Sequence, residues 1–279
     1  MVSRNQAKLI GKLASRKHRE DMGLFLVEGV RLVEELRAVE WPVELAIASP
    51  ALFETERGRG LAEAMQRSGW SVAEVSGPQL ARLSQTESPQ GVLVVARQRP
   101  RRLYELDPPP SCAVVVLDRL ADPGNLGTLA RAAYGLGAAW IVALPGTVDP
   151  WNPKAVRASA GALFHIPTSF EDWDGVVAWL RERRFDILCA DAEGEPVTRG
   201  AEAPDRFALV LGNEPGGLSE AALRACDRRV AIALPGRMNS LNVAIAGALL
   251  LDRLLAGRRV GTGTEASSST RSLNHECDV

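Results

Sequence analysis

Residues 207–255 constrain this chain most: two apolar runs each end in a glycine-rich polar loop, and a long apolar helix follows. The runs, residues 207–211 and 230–234, read as strands. The first loop carries Gly212, Asn213, Glu214, Gly216, Gly217 and Ser219, and the second carries Pro235, Gly236, Asn239, Ser240 and Asn242. Glycine after a strand lets the backbone take positive φ and approach a ligand closely. Ligands of open α/β sheets sit outside the carboxyl ends of the strands, so two such loops from one sheet can wall a single pocket. Neither loop contains histidine or cysteine, which argues against a zinc site or a Ser-His or Cys-His nucleophile built from them. The competing reading is a pair of ordinary turns with a helix N-cap at Ser240. Two such loops, each with an asparagine and one with a glutamate, weigh against it.

The rest of the chain supplies a frame for that pocket. Residues 1–97 alternate short strands (25–27, 43–48, 70–75, 92–96) with helices (30–39, 53–68, 78–83), the pattern of a small α/β/α unit. It shows no paired catalytic groups and no phosphate loop, so it reads as a binding module. Residues 98–110 are rich in proline and arginine, as a linker is. Residues 113–117 are a continuous apolar strand of the kind buried in a parallel sheet. A loop turning at Asp122, Pro123 and Gly124 then leads to a helix from about residue 126 to 136, with Asn125 as its expected N-cap and Arg131 on it. Further strands are expected at 140–144, 164–168 and 186–190, a helix at 173–184, and a last buried helix at 242–255.

Composition removes several classes. With 46% hydrophobic and 24% charged residues, the chain has the make-up of a globular protein. A net charge of −1 advertises no global basic field, so local charge must carry any nucleic-acid contact. Lys8, Lys12 and Arg16 fall at helical spacing in an N-terminal segment that, with Lys17, is basic and free of acids through residue 19. They are candidate phosphate contacts. The four cysteines, 112, 189, 226 and 277, form no CxxC pair, which fits a reducing cytoplasm and neither a disulfide framework nor a metal module. No signal peptide and no membrane span are expected. The tail beyond residue 260 is rich in Gly, Ser and Thr and is expected to be disordered.

Three ordered motifs now stand in one region: Asn125, Gly127 and Arg131; Leu211 through Ser219; and Ile232 through Val243. Together they resemble the signature motifs of the SpoU (TrmH) family of RNA 2′-O-ribose methyltransferases, across about residues 113–255. Residues 1–97 are similar in size and pattern to the RNA-binding domain, ribosomal-protein-like in fold, often fused in front. The resemblance implies a catalytic domain at 112–259 after a linker at 98–111, with a disordered tail at 260–279. Its fold would be an α/β parallel sheet ending in a deep trefoil knot. It also implies a homodimer, S-adenosylmethionine as cofactor, no metal, and RNA as substrate, ribosomal RNA before transfer RNA. By position, Leu211, Gly212, Ile232, Leu234, Pro235, Met238 and Leu241 would surround the cofactor. Arg131 would act as proton acceptor or as orienter of phosphate and alkoxide. Asn125 would place Arg131 or the ribose, Glu214 would pair with Arg131 or orient the loops, and Ser240 and Asn242 would complete the hydrogen-bond set. Ala244 follows Val243 where many members carry serine. The competing functions are a non-catalytic RNA-binding module and a nucleotide-binding oxidoreductase. The intact motif residues speak against the first. The missing G-x-G-x-x-G after the first strand speaks against the second.

Overall fold

The computed structural model describes residues 2–213, 216–236 and 240–256. The first unit runs α1 (Arg4–Lys12), α2 (Arg16–Met22), β1 (Leu24–Glu28), α3 (Val30–Ala38), β2 (Val43–Ala48), α4 (Glu56–Arg67), β3 (Val72–Glu74), α5 (Gly77–Leu83) and β4 (Val92–Arg97). Its sheet has the order β1-β4-β2-β3, with only β2 and β3 parallel. The second unit runs β5 (Cys112–Asp118), α6 (Pro123–Leu136), β6 (Trp140–Ala143), α7 (Pro153–Ala158), β7 (Thr168–Phe170), α8 (Trp173–Glu182), β8 (Asp186–Pro196), β9 (Arg206–Gly212), α9 (Glu220–Ala225), β10 (Arg228–Ala231) and α10 (Val243–Ala256). Its six strands are all parallel, in the order β10-β8-β9-β5-β6-β7. β5 is buried along its whole length, as a central strand covered by helices on both faces must be.

Several expectations are corrected. The basic segment is two helices, not one. Ser15 takes an extended conformation at the start of α2, and the buried Arg19 side chain donates to the carbonyls of Leu13 and Ala14 where the chain breaks. Lys8 and Lys12 therefore lie on α1, and Arg16 and Lys17 on α2, so they share no helical face. The helix carrying Arg131 begins three residues early, and Asp122 rather than Asn125 caps it: Asp122 Oδ1 accepts from the Asn125 N–H at 2.8 Å. Pro123, which has no N–H to satisfy, fits that first turn. The strand expected at 164–168 starts at Thr168. Gly161 sits at φ +96° and turns the chain into a single 3-10 turn, Ala162–Phe164, before Pro167, which cannot donate to a ladder. The helix expected at 53–68 starts at Glu56, because Pro50–Glu54 forms a separate 3-10 turn, and α9 has no counterpart among the expected elements. The tail from residue 257 onward lies outside the described residues.

The two sheets share one apolar core. Phe25 and Trp41 of the first unit pack on Trp151 and Phe164 of the second, with ring centroids from 4.5 to 6.2 Å apart across the junction. Beside this cluster, Arg19 Nε meets Asp149 Oδ2 at 2.7 Å, with both side chains at most 5% exposed.

Candidate active site

β9 and β10 end side by side with β8, and their loops surround a cavity of about 420 Å³. That lies within the roughly 300–1,000 Å³ of small-molecule and cofactor sites. Of the residues expected around a cofactor, Leu211, Gly212, Ile232, Leu234 and Leu241 line it, and so does Ser240. Pro235 is not in the wall. Met238 and Glu214 lie outside the described residues. Gly212 is required by contact: a Cβ there would sit 2.5 Å from the Gly217 carbonyl oxygen. Asn213 and Gly217 exchange backbone hydrogen bonds of 3.2 and 2.7 Å, so the first loop folds tightly back over the strand end.

Gly212→Ala is accordingly expected to push this turn into or away from the cavity. Affinity for the expected S-adenosylmethionine should fall roughly tenfold or more, about 1.4 kcal/mol, with an unchanged circular dichroism spectrum. Isothermal titration checks it. Wild-type affinity would mean that the turn is not part of the binding wall.

Part of the remaining wall comes from Val243, Ala246 and Leu250 of α10, and part from β8, which sequence reasoning missed. In its pairing with β10, Cys189 faces Arg229 but Glu195 faces Val230, so residues 190–194 bulge out of register. This bulge brings Asp191 and Gly194 to the cavity. A Cβ at Gly194 would lie 2.7 Å from the Arg229 backbone carbon, so only glycine lets the bulge return to the sheet. The one local signal is a glycine three residues after the acid, in Asp191, Ala192, Glu193 and Gly194.

Asn242, between the wall residues Leu241 and Val243, does two things. Its Oδ1 accepts from the N–H groups of Ala244 and Ile245 at 3.0 and 3.3 Å and so caps α10. Its Nδ2 donates to Asn125 Oδ1 at 2.9 Å. The first turns of α6 and α10 are thereby joined, a contact that the sequence reading of Asn125 and Asn242 did not include. Close packing reinforces the join: a Cβ on Gly247 would meet Leu129 and Leu211 side chains at 2.6 and 2.7 Å. Arg131 is exposed and makes no hydrogen bond or ion pair among the described residues. It stands six residues past Asn125 on α6, about 9 Å along the axis at 1.5 Å per residue.

Two carboxylates hold the surrounding loops. Asp118, buried at the end of β5, accepts from the Ser219 N–H at 2.5 Å and meets Arg119 at 3.3 Å, tying the first strand's end to the loop after β9. An acid closing an otherwise apolar strand was its only sequence signal. Asp122 is held below the usual carboxylate range, first by the Asn125 N–H and then by Lys154, whose Nζ lies 3.0 Å away. Burial raises the Cys189 thiol, with Cys226 adding to the effect, so Cys189 is no thiolate nucleophile. No group of three His, Cys, Asp or Glu side chains suited to a metal occurs among the described residues.

The expected RNA contacts differ in state. Lys8, Lys12, Arg16 and Lys17 are exposed. Arg16, however, is already engaged, with Glu20 at 2.6 Å and the Thr147 carbonyl at 3.0 Å.

A parallel α/β sheet with a cofactor-sized cavity at the carboxyl ends of its strands defines a cofactor-binding α/β protein. The chain belongs to the SpoU rRNA methylase family, whose model matches residues 113–252. A second model, the MRM3-like substrate binding domain, matches residues 4–94. A Bacillus subtilis relative, the 23S rRNA (guanosine(2553)-2′-O)-methyltransferase RlmP, is 29% identical over 244 residues, 87% of this chain and 93% of the relative. An uncharacterized tRNA/rRNA methyltransferase of Mycobacterium bovis is 32% identical over 248 residues, 86% of this chain and 84% of that one. Among solved structures, the SpoU methyltransferase AviRb from Streptomyces viridochromogenes superposes with a TM-score of 0.81 at 26% identity, over 92% of this chain and 98% of that one. An AdoMet-bound rRNA methyltransferase from Sinorhizobium meliloti gives 0.80 at 28% identity, over 94% and 98%.

Proposed function

We propose that this chain transfers a methyl group from S-adenosylmethionine to a ribose 2′-hydroxyl of ribosomal RNA. The observation that carries the reading is the cavity: two glycine loops wall it, and Asn242, between two of its wall residues, is bonded to the first turn of the helix bearing Arg131. The wall suits the cofactor. Leu211, Ile232, Leu234 and Leu241 offer apolar surface to an adenine, Gly212 leaves room for close backbone approach, and Asp191 brings a carboxylate to the rim. When bound, S-adenosylmethionine supplies a methyl already activated on a sulfonium.

The chain's own groups then have to align the hydroxyl and help its proton leave. Arg131 is assigned to the substrate side, holding an RNA phosphate and stabilising the developing alkoxide. A guanidinium with a pKa above about 12 is a poor proton acceptor, so orientation is the better role for it. Asn125 and Asn242 fix the geometry of the rim by holding each other. Ser240 faces the cavity and can donate or accept there, and Glu214 is assigned to the loop it sits in.

Residues 1–97 are read as the RNA-binding unit, residues 98–111 as the linker and residues 112–259 as the catalytic domain. The C-terminal segment is read as threaded into a trefoil knot. In support, β10 lies at the sheet's edge while α10 returns to pack on α6 and the interior strand β9. Ile245 and Leu249, 52% and 37% exposed on α10, suit a homodimer contact. A cytoplasmic location fits a ribosomal RNA substrate.

The test is methyl transfer from labelled S-adenosylmethionine to unmodified ribosomal RNA and, separately, transfer RNA. Label in ribosomal RNA, at one ribose whose 3′ linkage resists alkali, is expected. Incorporation only into transfer RNA would move the substrate, and absence of cofactor binding would remove the reading.

A further inference from the structure

A second cavity, about 260 Å³, lies at the junction of the two units, between the turn after β1, the loop before β4 and the end of α7. We propose that it is a phosphodiester site that grips the RNA strand beside the nucleotide to be methylated. The inference rests on the methyltransferase reading for the identity of the strand.

Its lining is rich in donors. Arg31, on α3, and Arg157, on α7, enter from opposite units, and neither side chain has a hydrogen bond or ion pair among the described residues. Arg157 Nη1 is buried with no partner, a costly arrangement for a charged donor that an incoming anion would relieve. Gln90 spends its carbonyl oxygen on the Val30 N–H at 3.0 Å, which leaves its amide NH₂ as a further donor. The one lining carboxylate, Glu28, is occupied by Ser84 and Thr86 hydroxyls and by the Gln85 N–H at 2.9 Å. Two guanidinium groups against one engaged carboxylate leave the cavity positive, and planar guanidinium forks match phosphate oxygens.

The cavity also connects to the site. α7 packs on α6, with Gly127 so close that a Cβ would lie 2.3 Å from the Ala155 carbonyl oxygen. One turn before Arg157, Lys154 holds Asp122, the cap of the Arg131 helix. A strand lying along α7 would thus pass from Arg157 to the first turn of α6. Since each unit contributes one arginine, only the assembled chain offers both.

The probe is a single-stranded ribo-oligonucleotide of mixed sequence, with anisotropy measured across a salt series for the full chain, Arg157→Gln, Arg157→Lys, Arg31→Gln and the distant control Arg67→Gln. Arg157→Gln and Arg31→Gln should each bind roughly tenfold more weakly, with the log–log salt slope reduced by about 0.7 for each lost phosphate contact. Arg157→Lys should recover part of the loss, and Arg67→Gln should match wild type. Arg31 is exposed, so its variant tests the site even if Arg157→Gln misfolds. Wild-type affinity and slope for Arg31→Gln and a folded Arg157→Gln, an equal loss in Arg67→Gln, or no binding by the unaltered chain would each overturn the proposal. The assay needs neither cofactor nor turnover. A groove that fails while methyl transfer succeeds, or the reverse, therefore separates this inference from the enzymatic one.

Discussion

Arg131→Ala is expected to lower RNA methyl transfer about a hundredfold to a thousandfold, the loss typical of removing one donor aimed at developing negative charge. The fold should barely notice. Arg131 is exposed and has no partner among the described residues, and surface changes of that kind usually stay within about 0.5 kcal/mol. Single-turnover kinetics at saturating cofactor, paired with urea denaturation, read the two effects separately. Arg131 does not line the cavity proposed for the cofactor, so S-adenosylmethionine affinity should hold. A variant retaining near-wild-type rate would strip Arg131 of its assigned role. One that lost cofactor binding would place it in the cavity wall instead.

Asp149→Ala should produce the largest loss of stability. The pair with Arg19 is almost sealed from solvent, and removing one member strands a buried charge at a cost of about 3–5 kcal/mol. Asp149 also accepts from the Trp151 N–H at 2.9 Å, and the same loop is pinned to β5, where the Thr147 hydroxyl donates to the Leu117 carbonyl at 2.8 Å. Urea unfolding should show the midpoint falling without a large change in slope. A double variant, Arg19→Met with Asp149→Leu, should recover part of the loss, because an apolar pair of similar volume avoids the desolvation that the ion pair suffers. A loss below about 1 kcal/mol would mean that water reaches the pair.

The parts legible in the sequence were those in which local pattern and tertiary role agree. Residues 43–48 and the central strand read correctly because their apolar runs are what a covered strand needs. The two glycine loops pointed to the cavity because close backbone approach demands a residue without a side chain, as at Gly212. The misread parts were decided by distant partners. Arg19 looked like one more cation in a basic helix, and its partner stands 130 residues away. The bulge of β8 exists only in relation to β10, so residues 190–194 carry no periodicity that marks them. Asn125 suits a cap by type, but Asp122 stands three residues earlier, ahead of Pro123, and takes the position. That left the Asn125 side chain for Asn242, a contact 117 residues apart in the chain.

The aromatic cluster at the junction bears on how the chain folds as a whole. Two family models divide the sequence near residue 100, which suggests pieces that could be cut apart. Phe25, Trp41, Trp151 and Phe164 form one continuous packing across that division, and neither piece could keep its aromatic surface covered alone. Inheritance in two modules is thus compatible with melting as a single cooperative unit. A chain shortened to the portion matched by the methylase model would lose more than its proposed RNA-binding unit, because it would carry Trp151 and Phe164 bare to solvent and be prone to aggregate.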